Sequence, residues 1–194
     1  MATVDEAAAA VRAGELVVYP TETVYGLGAD ALSGAAVERV FEAKGRDRDK
    51  PVSMAVPDVE TAREYTRPSD RELAFMREFL PGPVTVVVER RDAVPDVLVA
   101  GRDRVGVRVP DHALALELLA ETGPLTATSA NISGSPSART VDDLDAIRER
   151  AAVVLDAGET DGGTGSTVVD VAAGTIHRRG ARADAVESWL EARN

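Results

Sequence analysis

Two short segments carry residue types able to hold and polarise an anionic substrate: Lys44-Gly45-Arg46 and Ser129-Ala130-Asn131. The chain has 22 basic residues, yet lysine occurs only at Lys44 and Lys50, both inside the run from Ala43 to Pro51. Arginine supplies all other positive side chains. A compact ammonium is a point charge that a planar guanidinium replaces poorly, so lysine kept here suggests a need for that shape. Alone, a Lys-x-Arg after a helix reads as a solvated charge run. Three further polar loops next to strands change that weighting: Pro20 to Gly28, Pro81 to Thr85, and Gly162 to Thr167. In open α/β sheets ligands bind where such loops converge at strand ends. Taken with an inward lysine and arginine, the loops describe a phosphate or nucleotide pocket built from hydroxyls, amides and fixed charge. No residue stands out as a general base.

The elements that must position these groups alternate along the chain. Thr3 and Glu6 have capping-box spacing for a first helix, which Gly14 stops. Leu16 to Tyr19 reads as a buried strand closed by Pro20. From Ser33, Val37, Val40, Phe41 and Lys44 recur at helical spacing, which places Lys44 on the apolar stripe in the last turn. Gly45 ends that helix and Arg46 leaves in a new direction. Val52 to Val56 is the next strand. Helices follow from Asp58 and from Ser69, the latter with Glu72 in capping-box position. Val84 to Glu89 and Val105 to Val109 read as strands, Asp111 to Thr122 as a helix stopped by Gly123. Leu125 to Thr128, Val153 to Leu155, Thr167 to Val171 and Thr175 to Arg178 complete the strands. Helices at 142–150 and 184–192 complete the set. Ser129 and Asn131, two apart in extended chain, point to the same side. No linker, low-complexity tract or repeat interrupts the pattern, which predicts one α/β domain over residues 1–194.

Composition excludes several function classes. At 194 residues and 44% hydrophobic, the chain can build a sizeable core, mostly of Val, Ala and Leu, since aromatics are 4%. It has no cysteine, which rules out disulfides and thiolate metal sites. His112 and His177 are the only histidines, too isolated for a histidine-rich metal centre. P-loop, dinucleotide-binding and nucleophile-elbow motifs are missing. Met1 to Ala13 does not read as a secretory signal and no apolar run is long enough to span a membrane, so a soluble cytoplasmic protein is expected. A net charge of -11 argues against a broad nucleic-acid surface. The acidic, lysine-poor composition suits a high-salt cytoplasm, where the Debye length shrinks to roughly 3 Å; a GC-rich genome would also favour arginine.

At the same residues the chain resembles the YrdC-like family, from about Leu16 to Arg182. The elements occur in family order. Tyr19-Pro-Thr-Glu-Thr-Val-Tyr-Gly-Leu-Gly28 comes first, then Lys44 and Arg46, then Pro81-Gly-Pro-Val-Thr85. Arg108-Val-Pro110, Ser129 with Asn131, Ser166-Thr-Val-Val-Asp170, and Arg178 with Gly180 follow. The long first run is the specific one; Lys-x-Arg or Ser-x-Asn alone would be weak.

The resemblance implies a single-domain α/β fold: a twisted mixed sheet with flanking helices and a large concave pocket. It implies an L-threonylcarbamoyladenylate synthase that joins L-threonine, bicarbonate and ATP and releases pyrophosphate. By motif position Thr23, Arg108, Ser129 and Ser166 would hold threonine. Lys44, Arg46, Lys50, Asn131, Arg139 and Arg178 would hold ATP, with Lys44, Arg46, Ser129 and Asn131 closest to the chemistry. Mg²⁺ would come with ATP, without a protein ligand. The implied partners are a downstream threonylcarbamoyl transferase complex and, weakly, tRNA; no membrane is expected. Two positions depart from the family pattern: Ala55 replaces a histidine near threonine, and Arg139 replaces a small hydroxyl residue. The chain resembles the short form, without the extra C-terminal domain of longer relatives. Competing expectations are an RNA-binding or regulatory member of the same fold without chemistry, and carbamoyl adenylation in hydrogenase maturation.

Overall fold

The computed structural model describes residues 2–193. Helix α1 (Val4–Arg12) opens on the Thr3–Glu6 capping box and leads into β1 (Val17–Tyr19) and β2 (Gly26–Gly28). Helix α2 (Gly34–Lys44), capped by the Ser33 side chain, ends at Gly45, whose φ of 58° is the left-handed conformation glycine adopts at little cost. Strand β3 (Ser53–Ala55) precedes α3 (Val59–Tyr65) and α4 (Asp70–Phe79), the second with the Ser69–Glu72 capping box. Then come β4 (Val84–Glu89), the one-turn α5 (Asp96–Val99), β5 (Arg104–Arg108), α6 (Ala113–Thr122) and β6 (Leu125–Ser129). A 3-10 stretch (Val141–Ile147) leads to β7 (Val153–Val154), β8 (Thr167–Asp170), β9 (Thr175–Arg178) and α7 (Ala183–Ala192).

All nine strands join one mixed sheet in the order β7-β1-β2-β6-β3-β5-β4-β8-β9. Strand alternation divides it chemically. Val84, Val86 and Val88 on β4, Val105 and Val107 on β5, and Met54 on β3 face one way. There they share a core with Phe41 of α2, Phe75, Met76 and Phe79 of α4, and Trp189 of α7. The intervening residues Thr85, Val87, Gly106, Arg108, Ser53, Ala55, Ala127 and Ser129 line a single cavity on the other face. Register brings them side by side: Gly26 opposite Ser129, Ser53 opposite Ala127, Ala55 opposite Arg108, Val87 opposite Gly106. The concavity therefore follows from small and polar residues alternating with valines. Gly106 shows how tight the floor is, because a Cβ there would lie 2.3 Å from Ser53 Oγ.

The fold departs from the expected elements in three places. The Gly26–Gly28 segment, expected as loop, is a strand: Gly26 sits opposite Tyr19, and a Cβ on it would come within 2.9 Å of the Tyr19 ring. Here glycine makes room for a cross-strand aromatic rather than for a turn. Helix α5 was not expected, being a single turn without a periodic stripe. The expected helix at 142–150 is the 3-10 stretch, interrupted at Asp145 with φ 46°.

Gly180 supplies a direct test of this packing. A Cβ at 180 would stand 2.1 Å from Gly165 O and 2.6 Å from Ser166 C, backbone atoms that cannot step aside alone. Gly180→Ala is expected to cost about 1–3 kcal/mol, as overpacking does. For a domain of this size that is a fall in Tm of roughly 2–12 °C, read by thermal denaturation. An unchanged Tm would mean that the 165–166 backbone is not fixed against residue 180.

Candidate active site

The cavity encloses about 790 Å³, within the range typical of small-molecule sites. Of the residues singled out in the sequence, Arg46, Arg108, Ser129, Ser166 and Arg178 line it. Lys44, Thr23 and Asn131 stand immediately behind its wall. Lys50 and Arg139 lie elsewhere.

Lys44 emerges from the last turn of α2 and is 2% exposed, as its place on the apolar stripe implies. Its ammonium donates to Ser129 O and, at 2.7 Å, to Asn131 O. In return Ser133 N donates to Lys44 O at 2.8 Å, so α2 and the 129–133 turn hold each other. The Ser129 hydroxyl donates to Asn131 Oδ1, and the Asn131 amide donates to Ile132 O (2.9 Å) and Ser135 O (2.7 Å). Ser-x-Asn thus forms a self-braced turn clamped from below by the lysine. Burial, and then the charge of Arg46, lower the Lys44 pKa to about 8.

Five arginines line the open space, Arg46, Arg102, Arg104, Arg108 and Arg178, and three of them are held as follows. Arg46 is anchored by Nε to Lys50 O (3.0 Å) and by Nη2 to Pro51 O (2.9 Å). Arg178 grips Ser166 O through Nε and Nη2 and the Ser166 hydroxyl through Nη2, at 2.9–3.0 Å. Ser166 Oγ also meets Thr85 Oγ1 at 2.8 Å. Arg108 Nη2 donates to Thr23 Oγ1 at 2.8 Å. Burial first, then the charges of Arg108 and Arg46, lowers the pKa of Arg178, which is the expected response of like charges sharing one cavity. Clustered like charges of this kind favour an anionic ligand.

Thr23, expected against a ligand, is instead 2% exposed and holds Arg108 from behind. Lys50 is an exposed partner of Asp47 at 2.8 Å. It contributes its backbone carbonyl to Arg46, not its charge to the cavity. Arg139 is exposed and paired with Glu159 at 2.9 Å, outside the lining. Ala55 is buried on the floor beside Arg108, where its methyl leaves room.

Sequence reasoning missed three groups that shape the site. Thr21 Oγ1 donates to Val24 O and accepts from the amides of Thr23 and Val24, setting the loop that presents Thr23. Glu22 lies 2.9 Å from Arg108 Nη2. Arg104 bonds Glu72, Val87 O and Asp170, tying α4, β4 and β8 at the far end of the cavity. The even spacing of Arg104 and Arg108 on one strand was the signal that both share a face. Tyr19 also lines the cavity, but burial pushes its phenol to about 12, so it does not exchange protons near neutral pH.

Among the described residues no three Asp, Glu or His side chains gather as a metal-binding set. Among the described residues, no helix is long and apolar enough to cross a membrane.

Comparison with known proteins agrees with this arrangement. The family model Sua5/YciO/YrdC, described as "Telomere recombination", matches residues 9–180. The threonylcarbamoyl-AMP synthase of Pyrococcus abyssi is 42% identical over 169 residues, covering 85% of this chain and 49% of that protein. Its Bacillus subtilis counterpart is 41% identical over 174 residues, covering 86% and 49%. This chain therefore spans about half the length of these two relatives. The structure of P. abyssi Sua5 complexed with L-threonine superimposes with a TM-score of 0.84 at 38% identity, covering 91% of this chain and 54% of that one. With most of its length matched and its loops in the family's order, the chain belongs to the Sua5/YciO/YrdC family.

Proposed function

We propose that this protein is a nucleotidyltransferase that condenses L-threonine, bicarbonate and ATP into threonylcarbamoyl-AMP, pyrophosphate and water. The observation that carries the reading is the gathering of Arg46, Arg108 and Arg178 around one hydroxyl-lined cavity, in a chain whose relatives are named threonylcarbamoyl-AMP synthases. A solved relative binds L-threonine, an amino acid whose carboxylate suits the forked geometry of Arg108.

The roles divide by charge. Arg46 and Arg178 face the triphosphate, which arrives as its Mg²⁺ complex; the metal offsets charge on the phosphates. Lys44, through its charge and remaining N–H, supports the same phosphates while it fixes the 129–131 turn. Arg108 takes the threonine carboxylate, with the Ser166 and Ser129 hydroxyls completing the amino-acid subsite. Asn131 acts through the brace it forms with Ser129. Bicarbonate is a weak electrophile, so positioning carries much of the acceleration, worth up to about 7–11 kcal/mol. Fixed cations then stabilise charge that develops on the α-phosphate and on departing pyrophosphate. Lys50 and Arg139 contribute only if their loops move toward the nucleotide. The product would pass to a threonylcarbamoyl transferase complex acting on tRNA, which sets the reaction in the cytoplasm.

The test is pyrophosphate release by the purified protein. It is expected only when ATP, L-threonine and bicarbonate are present together, with threonylcarbamoyl-AMP detected by mass spectrometry. RNA binding indifferent to ATP, with no pyrophosphate, would overturn the proposal in favour of a non-catalytic RNA-binding role.

A further inference from the structure

Charge is unevenly balanced around the cavity. Arg46 and Arg178 bond only to backbone carbonyls and the Ser166 hydroxyl, and among the described residues neither has a carboxylate within ion-pair distance. Arg108 differs. Glu22 Oε2 lies 2.9 Å from its Nη2, and the two side chains are 16% and 11% exposed. The pair is close but not aligned: among the described residues neither Glu22 oxygen has a hydrogen-bond partner, and both are shielded from solvent. The donors of Nη2 point instead to Thr23 Oγ1 at 2.8 Å and Thr21 Oγ1 at 3.4 Å. Glu22 is not part of the cavity wall; Thr21, Val24 and Arg108 stand in front of it. A buried carboxylate without an aligned donor is costly, and a neutral glutamine of the same shape would carry a smaller desolvation cost. What glutamine would lack is the negative charge behind Arg108.

We infer that Glu22 reserves Arg108 for the carboxylate of an amino acid and keeps phosphate off it. The inference rests on the proposed use of threonine and ATP in one cavity. Several guanidiniums line the cavity; with nothing to tell them apart all would attract a triphosphate, and the amino-acid subsite would be lost to it. A phosphate dianion on Arg108 would feel the Glu22 charge directly behind the guanidinium, with twice the repulsion of a monoanion. A zwitterion feels least, because its ammonium lies beside its carboxylate and offsets that repulsion. Glu22 is thus a specificity-determining residue acting through Arg108, by a repulsive element rather than an added contact.

Calorimetric titration of L-threonine at constant ionic strength, with and without excess inorganic phosphate, tests this. For the unaltered protein the threonine Kd is expected to stay the same in phosphate. For Glu22→Gln it is expected to rise about tenfold or more, since a like-charge penalty has been removed for phosphate. Glu22→Asp, which keeps the charge, is expected to remain insensitive to phosphate even if it binds threonine more weakly. A merely structural role would weaken threonine binding equally with and without phosphate, and that result would overturn the inference. So would phosphate competing with threonine in the unaltered protein, an arm that needs no variant to fold. Threonine binding to none of these proteins would overturn the substrate reading itself, and the inference with it.

Discussion

The Lys44→Ala protein is expected to release pyrophosphate at least about 100-fold more slowly than the unaltered enzyme, the usual consequence of removing one preorganised donor at a site of developing charge. Two effects combine. On the proposed reading, the substitution removes a buried cation just behind the phosphate subsite. It also leaves Ser129 O and Asn131 O without their buried donor, which costs about 1–3 kcal/mol per group and loosens the Ser-x-Asn turn. Lys44→Met, which keeps the stem and loses the charge, is expected to be as inactive. The pH dependence separates this from simple unfolding. Lys44 has a folded pKa of about 8 against an ordinary 10.5. Its charge is therefore present below about pH 8 and lost above it, so kcat/KM for ATP is expected to fall on the alkaline side. Its contribution to stability runs the other way: between about 8 and 10.5 the unfolded chain binds the extra proton, so stability rises with pH. An enzyme losing activity while gaining stability over that window would identify the buried ammonium. Turnover of Lys44→Ala within a few-fold of normal would remove Lys44 from the mechanism.

Much of this site was readable because helices and strands have different periods. The stripe Val37, Val40, Phe41, Lys44 placed the lysine inward, and Ser129 and Asn131 did meet. The strands themselves were also legible where valines recur, as on β4 and β5. What sequence order does not encode is depth. Lys50 and Arg139 share loops or motif positions with cavity residues, yet pair with Asp47 and Glu159 at the surface. Thr23 belongs to the most specific motif and still lies one layer behind the wall. Glu22 was invisible for the opposite reason. A glutamate between two threonines reads as a polar loop, and its meaning comes only from Arg108, which β5 delivers from far along the chain. Strand β2 escaped because Gly-Leu-Gly has no alternation to read; its logic resides in the Tyr19 ring across the ladder.

Arg108→Lys keeps one positive charge at the same strand position, yet is expected to raise the KM for threonine by roughly 10–100-fold, equivalent to one charge-assisted hydrogen bond of about 1.5–3 kcal/mol. The guanidinium performs two tasks with different nitrogens. Nη2 is committed to Thr23, Thr21 and the Glu22 charge, and Nε is buried, which leaves Nη1 to the ligand. A lysine has a single nitrogen on a flexible stem. Drawn to Glu22, it would withdraw from the cavity; turned to the ligand, it would leave the Glu22 carboxylate buried without its counter-charge, a costly state. Either way the KM for ATP is expected to change little, because Arg46 and Arg178 keep their own anchors. The measurement is a pair of saturation curves, threonine varied at saturating ATP and the reverse. An unaltered threonine KM would mean that the carboxylate is bound elsewhere. Equal rises in both constants would mean that Arg108 serves the cavity's overall charge rather than one substrate, and the division of the three arginines into two subsites would fail.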